Sequence, residues 1–129
     1  MYSNNQWPER REFQRFNLKL PIWYKALNPE PLCSLLGSSY LTSTTLDISP
    51  FGMAFMSKHN IPAFSDLSLK FVVGAQANFY DGLVVPIEVN AKVCSSTLYG
   101  KNEYRLGVLF SNIAPEVQKK LASFIRESL

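Results

Sequence analysis

Histidine occurs once, at His59, and cysteine twice, at Cys33 and Cys94, with no CxxC spacing. Zinc sites draw on three or four such ligands, so the supply argues against a metal centre. The cysteines read as reduced thiols in a core or on a strand. No run of about 18 apolar residues occurs, and the first twenty residues are polar and charged with no apolar h-region. Neither a spanning helix nor a secretory leader is expected, and the chain reads as cytoplasmic without membrane insertion. There is no GxSxG, no Walker A loop and no HExxH, and the carboxylates are scattered singly. Nothing nominates a nucleophile or an acid/base pair, so no catalytic residue, metal or cofactor is expected and the chain reads as a non-enzyme. His59, in Ser57-Lys58-His59-Asn60, reads as a solvated loop histidine. A formal charge of only +3 is too small for a nucleic-acid coating surface, which usually clusters Lys and Arg at a higher pI.

What is present is the material of one domain. The 129 residues are 47% hydrophobic and 18% charged, near the average of globular domains and far from disordered chains. Residues 1–15 lack apolar periodicity and read as an arm that stays flexible until something orders it; residues 16–129 read as the folded unit. Phe16, Leu18, Leu20, Ile22 and Tyr24 alternate with polar or proline positions, the period of a half-buried strand. Pro21 implies an edge or bulge there, and Asn28-Pro29-Glu30-Pro31 ends the strand. Further strands are expected over 40–48, 53–56, 67–73, 85–94 and 104–110, with a turn-rich piece at 74–82 and a hairpin loop at Tyr99-Gly100-Lys101-Asn102. Short strands at this spacing, with no intervening helix, favour a closed barrel or sandwich. At the end the period changes. Val117, Leu121, Phe124 and Ile125 fall on one helical face, with Pro115 placed for the first turn, so one amphipathic helix should pack on the barrel.

Two polar elements interrupt this pattern. In Glu9-Arg10-Arg11-Glu12-Phe13-Gln14-Arg15, three arginines meet two carboxylates. Guanidinium groups are planar, always charged and able to fork two bonds onto phosphate or onto the O6/N7 edge of guanine. A solvated charge run paired with Glu9 and Glu12 explains the segment equally. Asp47-Ile48-Ser49-Pro50-Phe51-Gly52 lies between strands. Asp and Ser favour such turns, and Gly52 has no Cβ. An ordinary turn is a sufficient explanation; alternatively, Asp47 accepts from a guanine N1/N2 edge, Ser49 offers its hydroxyl, and Gly52 lets ligand or backbone approach.

The two elements together are far more specific. RxxxR before the first strand (Arg11 and Arg15), followed by DxSxxG between the next two (Asp47, Ser49 and Gly52), resembles the PilZ domain family. Gly107-Val108-Leu109-Phe110 is similar to the family's closing GxxF strand, and the likeness continues into the terminal helix. The resemblance implies an all-β, six-stranded antiparallel split barrel with a C-terminal α-helix that binds cyclic di-GMP. The arginine arm would fold over the ligand above the DxSxxG turn. It implies ligand contacts from Arg11, Arg15, Asp47, Ser49 and Gly52, and Arg10, directly before RxxxR, goes in the family with an intercalated ligand dimer. A domain of this kind acts on a protein effector in trans. Some members stack a late-strand Trp on guanine; here Asn90-Ala91-Lys92-Val93-Cys94 has no aromatic. Two other readings remain beside this one: a PilZ-like interaction module without nucleotide, and a small barrel binding single-stranded nucleic acid, which the low charge disfavours.

Overall fold

The computed structural model describes residues 16–74 and 84–127. The arm carrying Arg10, Arg11 and Arg15, and the turn-rich stretch after Gly74, lie outside the described residues. Strands β1 (Pro21–Asn28), β2 (Leu41–Ser49), β3 (Gly52–Ser57), β4 (Asp66–Gly74), β5 (Val84–Gly100) and β6 (Glu103–Phe110) are joined by helix α1 (Glu30–Leu36) and followed by helix α2 (Pro115–Glu127). The strands close into one barrel in the order β1-β2-β3-β6-β5-β4, every pairing antiparallel. The expected fold class is therefore the observed one.

Closure follows from alternation. Ile22, Tyr24 and Ala26 of β1, Met53 and Phe55 of β3, Leu67, Leu69, Phe71 and Val73 of β4, and Ile87, Val89, Ala91 and Val93 of β5 all point inward and are buried in one core with Leu106 and Val108 of β6. Burying each of the larger aliphatic and Phe side chains contributes roughly 1.5–3 kcal/mol, so a one-residue slip of any strand would expose its whole inward set. Leu121, Phe124 and Ile125 of α2 join the same core, where the helix packs against β2 and β4.

Three expectations need correction. The first strand does not begin at Phe16. Residues 16–20 run beside β2, held by a Phe16–Ile48 bridge, by Leu20 N–H donating to Thr45 Oγ1 at 2.9 Å and by the Thr45 hydroxyl donating to Leu18 O. Regular pairing starts at Pro21, the strand position where a missing N–H is tolerated. Second, a helix does intervene. Pro31 sits in its first turn, Leu32 is buried, and Gly37 ends it at φ 86° with its N–H on Cys33 O. The prolines that stop β1 are at the one place where a helix accepts them. Cys33 is on this helix, partly buried against the core. Third, β5 runs on to Gly100, well past Cys94, paired with β6 through two register shifts.

Among the described residues the core holds a titratable side chain, Tyr24. Tyr24 points into the barrel and its hydroxyl shares a 2.8 Å hydrogen bond with Ser57 Oγ. Burial raises the phenol above its ordinary value, and the Ser57 bond offsets part of that. A raised folded-state value means the contribution is present below the ordinary value near 10 and is lost as pH climbs through the folded one. Tyr24→Phe should therefore cost about 1 kcal/mol at neutral pH, and this cost should shrink above roughly pH 10. Denaturant midpoints of both proteins at neutral and alkaline pH check it.

Candidate functional site

The DxSxxG segment is a tight β2–β3 hairpin. Asp47 and Ser49 are at the end of β2, Pro50 and Phe51 form the turn, and Gly52 opens β3 opposite Ser49. The Ser49 hydroxyl is turned into the hairpin: it accepts from Phe51 N–H at 3.2 Å and donates to Gly52 O at 3.5 Å, and the residue is buried. Two further bonds clamp the turn from outside, Phe110 N–H to Phe51 O at 2.8 Å and Gln118 Nε2 to Pro50 O at 3.1 Å. The hairpin is thus gripped by the end of β6 and by α2.

Gly52 is required by backbone, not by space for a side chain elsewhere. A Cβ there would stand 2.1 Å from Val108 O and 3.2 Å from Leu109 Cα on β6. Main-chain atoms cannot rotate away, so only glycine permits β3 to approach β6 at this point.

Asp47 follows a bulge. Thr45 pairs with Phe55 and Asp47 with Ala54, which leaves Leu46 as the extra residue; such a bulge re-aims the next side chain. Across the barrel wall, β5 is bulged at the same level, with Val93 opposite Val108 and Ser95 opposite Gly107. The register therefore lines up Asp47, Ala54, Gly107 and Ser95 across four strands. Beside them Ile48, Met53 and Val108, each one residue away, and Val93, two residues from Ser95 across the bulge, form the inward row. Asp47 thus stands at the edge of an outward row whose centre is an alanine and a glycine.

Arg105, one strand beyond β3, completes the arrangement. Its Nη2 donates to Asp47 Oδ2 at 2.9 Å, with the arginine side chain 33% exposed and the aspartate 14%. Sequence reading passed over this residue, although it stands two positions before the GxxF glycine. The only available signal was its place on the outward face of β6, between Tyr104 and the buried Leu106.

At the Phe16–Ile48 bridge, N–H to O distances are 3.0 Å in both directions. Ile48 lies between Asp47 and Ser49, and Phe16 directly follows Arg15 in the chain. A separate cleft of about 550 Å³ opens where β2 parts from β3, lined by Lys19, Lys58, His59, Glu103 and hydroxyl residues of β2. His59 is half-buried rather than fully solvated. Among the described residues, no group of three or more His, Cys, Asp and Glu side chains is placed to hold a metal ion, and no helix is long and apolar enough to cross a membrane.

Glycine dependence can be tested directly. Gly52→Ala should lower stability by about 3 kcal/mol or more, because overpacking against backbone cannot relax, and drop the thermal midpoint by roughly 10 °C. Gly107→Ala is the contrast. Its Cβ would meet only Ser95 Oγ, at 2.7 Å, a hydroxyl free to rotate, so the loss should stay within about 1 kcal/mol. Thermal unfolding followed by circular dichroism distinguishes the two.

Solved structures of similar fold include the Bacillus subtilis inhibitor of motility MotI/DgrA, at TM-score 0.68 and 17% identity over 92% of this chain and 51% of that one. The PilZ domain of Escherichia coli YcgR with c-di-GMP matches at TM-score 0.58 and 20% identity, covering 92% of this chain and 94% of that one. The Klebsiella pneumonia MrkH complex with c-di-GMP matches at 0.61 and 16%, covering 92% and 51%. The chain spans about half the length of MotI and of MrkH. No curated protein matches it in sequence. The PilZ domain family matches residues 9–127, from the arginine segment through the terminal helix, and the chain belongs to that family.

Proposed function

We propose that the chain is a receptor for cyclic di-GMP, with Arg10, Arg11 and Arg15 closing over a ligand seated against Asp47, Ser49 and Gly52. The observation that carries this reading is the Phe16–Ile48 bridge. It ties the residue after Arg15 to the residue between Asp47 and Ser49, which supports a single surface served by both motifs. Family membership and the c-di-GMP complexes of the YcgR PilZ domain and MrkH support the choice of ligand.

The roles follow from side-chain chemistry. Arg11 and Arg15 contact phosphate and the guanine O6/N7 edge, Asp47 accepts from guanine N1/N2, and Gly52 acts by letting β3 lie close to β6. Ser49, whose hydroxyl is bonded within the turn, serves by holding the hairpin's shape or by rotating outward when ligand arrives. Four charge-assisted bonds at about 1.5–3 kcal/mol each total roughly 6–12 kcal/mol, against about 8 for micromolar binding. Ordering some ten arm residues at about 1 kcal/mol each takes back much of that gain. The arm is therefore a switch, ordered by ligand, that presents a new surface to a protein effector in trans.

Titration of the purified protein with cyclic di-GMP should give saturable, salt-sensitive binding. Arg11→Ala or Arg15→Ala should abolish it, and Asp47→Ala should weaken it by about tenfold or more. Absence of heat or chemical-shift change at roughly 100 µM ligand, about 5.5 kcal/mol, would overturn the reading. Arg10→Leu addresses stoichiometry: two ligands per site should become one, and an unchanged ratio rejects the intercalated dimer.

A further inference from the structure

Arg105 is the one residue of the ion pair that neither sequence motif contains, and its position constrains what it can do. Asp47 lies opposite Ala54, and Arg105 opposite Met56, on the two sides of β3. Ideal strand spacing puts their Cα atoms roughly 12 Å apart, so an Nη2–Oδ2 bond of 2.9 Å requires the arginine to lie extended across the outward face of β3. On that face Ala54, opposite Asp47, is fully buried although it faces away from the core. A guanidinium has five N–H donors. Among the described residues the bond recorded for this one is to Asp47, so the rest of its donor edge is held in place without being consumed.

We infer that Arg105 and Asp47 together form a guanine reader, in which Arg105 donates to O6 or N7 while Asp47 takes the N1/N2 edge. This rests on the cyclic di-GMP reading above and adds to it a specificity residue on the barrel wall, outside both motifs. The chemistry is complementary. Guanine presents two donors beside an acceptor, and the Asp–Arg pair presents a carboxylate beside a donor fork. Adenine carries an amino group where guanine has O6, so it would set two donors against each other at Arg105. The ion pair also fixes the arginine before ligand arrives, so little side-chain freedom is lost on binding.

The test compares cyclic di-GMP with cyclic di-AMP, by calorimetry and by competition, on native protein, Arg105→Ala and Arg105→Lys. Arg105→Ala should weaken cyclic di-GMP by about tenfold or more and leave cyclic di-AMP within about threefold of its native value, so discrimination narrows. Arg105→Lys keeps the charge but lacks the planar fork, and should not restore the preference. Thermal midpoints of both variants within a few degrees of native show that the fold is intact. Cyclic di-GMP affinity within twofold of native in Arg105→Ala overturns the inference, as does an equal loss for both dinucleotides, which would assign Arg105 a charge role only. If native protein fails to bind cyclic di-GMP at all, the receptor reading itself is rejected, an outcome separate from either of these.

Discussion

The approach of β3 to β6 at Gly52 is the constraint on which the rest of the site depends. With Val108 O where a Cβ would be, the two strands can pair from Gly52–Leu109 upward only if position 52 has no side chain. That pairing fixes where the β2–β3 hairpin ends. The position of the hairpin in turn puts Phe51 O within reach of Phe110 N–H and Pro50 O within reach of Gln118. Asp47 inherits its place from the same register, three residues before the turn. A change in that one approach would move the hairpin, its two outside clamps and the carboxylate together.

The outward wall above the hairpin owes its shape to two bulges set at one level. An extra residue in β2 and another in β5 increase local twist on both flanks of the β3–β6 pair, whose outward residues there, Ala54 and Gly107, are small. This low relief is what lets an arginine on β6 reach an aspartate on β2 across an intervening strand. Partly buried ion pairs of this kind add little net stability, because desolvation offsets much of the attraction. Their value is in geometry: the partners are held in one relative orientation.

Patterns of period two and 3.6 made most of the fold legible, since each strand and α2 bury one face of a single core. The two motifs were legible because they are short and contiguous. Other features depend on contacts far apart in sequence. The pairing of Asp47 with Arg105 spans 58 positions and needs the strand order before it can be seen. Residues 16–20 alternate as a strand does, yet Thr45 binds them with its side chain and regular pairing starts only at Pro21. In α1 the same prolines that forbid a ladder suit a helix's first turn, so composition pointed to a break and the helix that follows it was missed. Ser49 looked like an open hydroxyl because sequence does not reveal that it accepts from Phe51 N–H and donates to Gly52 O.

The Gln118–Pro50 bond gives the terminal helix a measured hold on the hairpin. Thermodynamic linkage is reciprocal: whatever free energy a bound molecule gains by shifting the hairpin through this contact, something pulling on the helix can return in equal amount. A single hydrogen bond carries about 0.5–1.5 kcal/mol, so traffic through it is limited to about a tenfold change in affinity. Coupling beyond that limit has to pass through main-chain bonds, Phe110 N–H to Phe51 O from β6 and the Phe16–Ile48 pair beside β2. The helix is a fine adjustment, and the barrel wall is the stiff member.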